Sequence, residues 1–209
     1  MINFENVLVL APHTDDGELG AGGLIARLSA QGTNIKYIAF SSAPESLPDG
    51  FPRDTLVKEV HLATGVLGIS DLVVKNYPVR NFDLHRQEIL DDLIKLRKEN
   101  NFDLVLIPST SDVHQDHQVI MQEGIRAFKN TTILGYELIW NSFNFKNHLY
   151  VKLDETHVMA KVKALQKYSS QAHRPYMSDE FVRSLAYTRG LQVNHKYAEC
   201  FEVVRWVIN

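Results

Sequence analysis

Val7-Leu8-Val9-Leu10 runs directly into Ala11-Pro12-His13-Thr14-Asp15-Asp16-Gly17-Glu18, and this junction decides the fold. Four consecutive apolar residues mark a strand buried on both faces, as in a parallel sheet. Beyond it, Glu18 to Gln31 reads as a helix, with Leu24, Ile25 and Leu28 on one side and Gly32 as its stop. The alternation then repeats. Ile35 to Phe40 reads as a strand, and Leu56, Val60, Ala63 and Leu67 recur at helical spacing before Gly68. Asp71 to Val74 is a short strand, followed by a helix over Arg86 to Glu99 with Ile89, Leu93 and Leu96 inward. Leu104-Val105-Leu106-Ile107 repeats the buried-strand pattern ahead of a helix over Gln118 to Lys129, and Ile133 to Trp140 is strand-like again. In the last third, Val158, Val162 and Leu165 mark a helix, Ser178 caps another running to Arg189, and Phe201 to Ile208 closes as a strand. Strands alternating with helices predict βαβ units and a mostly parallel sheet. The expected architecture is a three-layer α/β/α sandwich whose C-terminal part decorates one edge.

The chain has 209 residues with no repeat or linker-like stretch, so a single domain over residues 1–209 is expected. A net charge of -3 shows no basic field, which argues against nucleic acid or an anionic membrane surface as the main partner. No apolar run approaches the ~18 residues that a membrane span needs. Met1 to Leu10 holds Glu5 and no early Lys or Arg, so it reads as a first strand rather than a signal peptide. The single cysteine, Cys200, cannot form an internal disulfide, in keeping with a cytoplasmic location.

Ligands of an open parallel sheet bind beyond the carboxyl ends of its strands. Two of those ends combine imidazoles with carboxylates: His13-Thr14-Asp15-Asp16 after the first strand, and Asp112-Val113-His114-Gln115-Asp116-His117 after the Leu104 to Ile107 strand. Imidazole nitrogen and carboxylate oxygen suit Zn²⁺, and a catalytic zinc keeps a fourth position open. Three ligands drawn from the two loops would build such a site, leaving an Asp and a His for proton transfer. Taken singly, Asp15 and Asp16 read equally well as helix caps, and His114 and His117 as a solvated loop. Their coincidence at two strand ends of one sheet favours a site.

Gly20, Gly22 and Gly23 do not make G-x-G-x-x-G spacing, and read as close-packing residues at a helix start. His61, His85, His148, His157 and His173 show no ligand spacing. The polar connection Ser169 to Tyr176 is of the kind that lines pockets. In and after it, Arg174, Tyr176 and Arg189 could hold hydroxyls or a phosphate of a ligand, or tie the C-terminal helices to the body. Arg80, Asn81 and Asp83 are weaker candidates of the same sort. Trp140, Phe143 and Phe145 suit either a pocket cover or a subunit contact, which leaves a homo-oligomer open.

His13-Thr14-Asp15-Asp16 resembles the His-Pro-Asp-Asp opening motif of the LmbE-like (PIG-L) de-N-acetylases, and His114-Gln115-Asp116-His117 resembles their His-x-Asp-His motif. The similarity extends through Glu59 to Gly68, Lys163 to Gln171 and Tyr197 to Phe201. Thr14 stands where the family usually has proline, and Gly17 where an acidic residue is common. The resemblance implies a Rossmann-like fold and zinc-dependent hydrolysis of an N-acetylglucosamine-type amide, free or in a glycoconjugate, with release of acetate. It implies one Zn²⁺ per chain, with Fe²⁺ a possible occupant in the cell, held by His13, Asp16 and His117. It makes Asp15 the general base and His114 the group that polarises the amide or protonates the leaving amine, with Asp116 orienting His114. Two other readings use the same residues: a metal-dependent phosphoester hydrolase, and a non-catalytic sugar-binding protein with a structural metal. The first would more naturally want a second metal and extra carboxylates.

Overall fold

Apolar side chains that alternate along the strands feed two separate cores, one on each face of a single sheet. In the computed structural model, which describes residues 4–208, the strands are β1 (Asn6–Ala11), β2 (Asn34–Ala39), β3 (Asp71–Val74), β4 (Leu104–Pro108), β5 (Thr132–Tyr136), β6 (Leu149–Leu153) and β7 (Tyr197–Arg205). The helices are α1 (Asp16–Ala30), α2 (Thr55–Val66), α3 (Arg86–Glu99), α4 (Gln115–Ala127), α5 (Glu155–Leu165) and α6 (Asp179–Leu191). The sheet order is β3-β2-β1-β4-β5-β7-β6. The first five of these pair in parallel, and β7 runs antiparallel to both β5 and β6. Val7 and Val9 face the core under α1, α2, α5 and α6, whereas Leu8 and Leu10 face the one under α3 and α4. The mostly parallel three-layer sandwich is therefore present, with its C-terminal strands added at one edge.

The differences from the sequence expectation lie where polarity replaces periodicity. Helix α4 begins at Gln115, three residues before the expected start at Gln118, because its first turn carries the polar Asp116 and His117 instead of apolar residues. Strand β6 has no counterpart in the sequence expectation, since as an edge strand it buries little beyond Leu153. Strand β5 stops at Tyr136, and β7 spans Tyr197–Arg205 rather than running to Ile208. Met1 to Asn3, included in the expected first strand, lie outside the described residues. Gly20 and Gly23 are close-packing residues, as expected. A Cβ on Gly20 would run into the Tyr136 ring, and one on Gly23 into Leu153 and Glu199. No helix among the described residues is long and apolar enough to cross a membrane.

From β1 the chain winds outward to β2 and β3 on one side, and from β4 to β5 on the other. The crevice between the carboxyl ends of β1 and β4 is thus a topological switch point, where doubly wound sheets bind ligands. Both histidine-carboxylate loops open onto it.

Candidate metal centre

The turn after β1 folds back on itself, with the His13 N–H donating to Asp16 Oδ2 at 2.8 Å. That same oxygen lies 3.1 Å from His13 Nδ1 and 3.3 Å from His117 Nε2, and the two ring nitrogens are 3.4 Å apart. Three donor atoms, two nitrogens and one carboxylate oxygen, therefore form a nearly equilateral triangle. Ligand atoms about 2.0–2.1 Å from a tetrahedral ion lie about 3.3–3.4 Å from each other. The set fits a divalent cation. One nitrogen each from His13, His114 and His117 also falls within 4.8 Å of the others, a wider triad that overlaps the first. The first is favoured because it is tighter and because His114 Nδ1 already accepts the Asp116 N–H at 3.2 Å.

The far nitrogen of each candidate ligand is held by a carboxylate. His13 Nε2 meets Asp116 Oδ2 at 2.9 Å, and His117 Nδ1 meets Asp112 Oδ2 at 2.8 Å. A proton kept on the outward nitrogen leaves the inward one free to ligate, the usual outer support of a metal-bound imidazole. Asp116 is in turn fixed by the Arg80 N–H at 2.7 Å, and Asp112 accepts the His114 N–H at 2.9 Å. The expected Asp116–His114 side-chain pairing is absent. The Asp116 carboxylate faces His13, because its place in the first turn of α4 directs it across the crevice, and only its backbone reaches His114.

Charges follow from these contacts. Burial raises the Asp16 carboxyl, but the His117 and His13 imidazoles overcome it and hold the group well below its ordinary range. Burial lowers His117, yet Asp16 and Asp112 bring it up to about 10, and Asp16 and Asp116 likewise raise His13. His114 goes the other way, to about 4, through burial and then the repulsion of His117 and His13. Its ring stacks on His117 at 4.4 Å. A neutral His114 whose Nδ1 accepts a hydrogen bond must carry its proton on Nε2. Asp15 is half-buried at the start of α1 and its side chain makes no capping bond, which removes the helix-cap reading. Burial and the adjacent Asp16 push its carboxyl up to about 6.

A cleft of about 260 Å³ opens over this centre. Arg174 and Tyr176 line it, together with Arg80, Asn141, Gln171 and Trp140. Arg189 does not, being engaged in an ion pair with Glu137 on the far side of Leu19 and Gly20. Of the aromatic residues in question, Trp140 stacks on Tyr176 at 3.9 Å in the cleft wall, whereas Phe143 is exposed. A larger hollow, about 640 Å³, sits near the opposite ends of the strands beside Phe4, Phe102 and Trp206. Its lining carboxylate, Asp103, is occupied by the Glu5 and Asn6 N–H groups.

Several supporting residues escaped the sequence reading. Asp112 lies in the quoted loop, but nothing in its spacing marks it as the partner of His117. Glu18, Tyr37 and Tyr168 lie beneath the His13 loop, and both tyrosine hydroxyls contact the Thr14 carbonyl, at 3.1 and 2.7 Å. Glu59 accepts from Ser169 Oγ, Ser170 N and Ser170 Oγ, anchoring α2 to the segment that carries Gln171. Contacts across such separations leave no local periodicity to find.

The chain is similar to known proteins over most of its length. The "uncharacterized deacetylase YaiS" of Escherichia coli K12 is 25% identical over 172 residues, covering 79% of this chain and 91% of its own. Among solved structures, the conserved protein TT1542 of Thermus thermophilus superimposes with a TM-score of 0.80 at 24% identity, covering 97% of this chain and 96% of that one. The N,N'-diacetylchitobiose deacetylase of Pyrococcus horikoshii gives 0.78 at 21% identity, covering 96% and 84%. At these identities the structural likeness speaks for the fold. The GlcNAc-PI de-N-acetylase (PIG-L) family model matches residues 8–128, more than half of the sequence, and the chain belongs to that family.

Proposed function

We propose that the protein is a zinc-dependent N-deacetylase acting on an acetamido sugar of the N-acetylglucosamine type, or on its glycoconjugate, with release of acetate. Membership of a de-N-acetylase family supports the reaction class. The observation that carries the reading is the triangle of His13 Nδ1, Asp16 Oδ2 and His117 Nε2, with the uncapped Asp15 carboxylate beside it. A structural metal would need no spare base.

Zinc held by these three residues would supply Lewis acidity and an acidified water at neutral pH. Asp15, poised near 6, is matched to accept a proton from the attacking water and return it to the departing nitrogen. His114 lines the cleft and would serve as a neutral donor, its Nε2–H available to a carbonyl oxygen as negative charge develops there. Asp112 and Asp116 hold the ligand imidazoles, so Asp116 acts through His13 instead of through His114. Water adds to the carbonyl carbon, the C–N bond breaks, and acetate and a free amine leave. Ferrous iron suits the same mixed donor set.

Acetate release from N-acetylglucosamine derivatives by zinc-loaded protein, measured alongside phosphate release from model esters, tests this reading. Acetate without phosphate is expected. Phosphate alone would replace the deacetylase with a phosphoesterase, and neither product would leave a binding protein.

A further inference from the structure

Arginine pairing separates two residues from all the others. Arg27, Arg97 and Arg205 donate to backbone carbonyls of Lys152, Ala127 and Phe128. Arg53, Arg86, Arg126, Arg183 and Arg189 each reach a carboxylate. Among the described residues, only Arg80 and Arg174 have neither kind of partner, and both line the cleft over the metal centre.

Their settings point to use by a ligand. Arg174 is half-buried, its one side-chain hydrogen bond runs from Nη1 to the Tyr176 hydroxyl, and that tyrosine is itself held flat against Trp140. A guanidinium partly removed from water needs a counter-charge, and the fork geometry suits a carboxylate or phosphate. Arg174 feels the charges of Asp15 and Asp16 without making an ion pair with either. Arg80 has a left-handed backbone, φ 68°, and donates its N–H to Asp116. Glycine would adopt that conformation without strain, so the backbone contact alone gives no reason for an arginine here. Arg80 is exposed and lines the same cleft, so a second cationic residue stands at it.

We infer that Arg80 and Arg174 form an anion subsite, so that the preferred substrate carries a carboxylate or phosphate in addition to its acylated amine. This inference rests on the deacetylase reading for its reaction, though not for the binding itself. Neutral acetamido sugars would enter the same cleft but leave both guanidinium groups without a partner.

The test compares kcat/KM of the zinc-loaded protein for methyl N-acetylglucosaminide, N-acetylglucosamine 1-phosphate and the carboxymethyl glycoside of N-acetylglucosamine. At least one anionic substrate should be favoured by about tenfold or more, the scale of a charge-assisted contact. The two anionic arms tell phosphate from carboxylate. In Arg174→Met and Arg80→Met the preference should shrink towards one, chiefly through KM, and Arg174→Lys should keep part of it. A parent preference near one, or a preference that survives both methionine variants, overturns the subsite. Should no substrate be hydrolysed, the deacetylase reading fails, and the subsite is decided by calorimetry of N-acetylglucosamine 1-phosphate on the metal-free protein. Binding that weakens about tenfold in the methionine variants upholds the subsite; absent binding, or equal binding in parent and variants, overturns it.

Discussion

The Tyr168 hydroxyl lies 2.7 Å from the carbonyl oxygen of Thr14, joining residues 154 positions apart in the chain. Thr14 sits between His13 and Asp15, so this contact sets the height of the loop that carries three of the site's groups, His13, Asp15 and Asp16. The Tyr37 hydroxyl approaches the same carbonyl, and both tyrosines also contact the buried Glu18 carboxyl. Four oxygen–oxygen contacts thus share two phenolic protons. A third proton, on Glu18, lets three of the four become hydrogen bonds. Burial outweighs the tyrosine hydrogen bonds and pushes Glu18 up to about 8, consistent with that count.

Glu18 therefore makes stability depend on pH. Its folded value of about 8 lies above the ordinary 4.5, so its contribution is fully present below about 4.5 and is lost as pH rises through about 8. Glu18→Gln reproduces the donor and acceptor of the neutral acid without a titration. Thermal unfolding of metal-free parent and variant should agree at pH 4.5, while the variant should be the more stable at pH 8. An identical loss in both proteins across that interval would show that Glu18 is not the group responsible.

The two outer carboxylates should act on metal affinity before they act on turnover. Asp112→Asn and Asp116→Asn keep side-chain size but weaken the hold on His117 and His13. Each is expected to reduce zinc affinity by about 10–100-fold. His13→Ala and His117→Ala should abolish stoichiometric binding. Competition with a chromogenic chelator measures both, and full affinity in the two asparagine variants would remove Asp112 and Asp116 from the support of the site.

Proton release should accompany metal uptake. With His117 raised to about 10, its imidazole holds a proton at pH 7 in the metal-free protein, and a cation at Nε2 must displace it. Affinity should accordingly rise with pH between 7 and 10, by about tenfold per unit for each proton released. Zinc titration calorimetry at pH 7 in two buffers of different ionisation enthalpy counts the protons. A count of zero would show that His117 holds no displaceable proton at pH 7 in the metal-free protein.

Adjacent aspartates should separate into base and ligand. Asp15→Asn cannot accept a proton, so turnover should fall by about 10²-fold or more with zinc content near that of the parent. Asp16→Asn removes one corner of the donor triangle, so zinc should be lost, with activity partly restored by excess metal. Stopped assays with metal analysis on the same samples distinguish the two. An Asp15→Asn protein as active as the parent at saturating substrate would overturn the proposed mechanism.

The apolar runs at Val7 to Leu10 and Leu104 to Ile107 were legible because burial on both faces leaves a continuous signature. The loops after them were legible because histidine and aspartate concentrate at strand ends where parallel sheets bind ligands. Sequence alone therefore pointed to the sandwich and to the two loops whose histidines and aspartates carry the candidate site, while the strand order that sets a crevice between β1 and β4 came from the tertiary structure. The sequence could not determine which carboxylate supports which imidazole. Asp116 reaches His13 across 103 positions, and that pairing depends on β1 and β4 lying side by side. Nor could it tell Arg174 from Arg189, two arginines in similar polar stretches. Tertiary packing sent one into the cleft and paired the other with Glu137, since a charge acquires its meaning from the groups the fold brings against it.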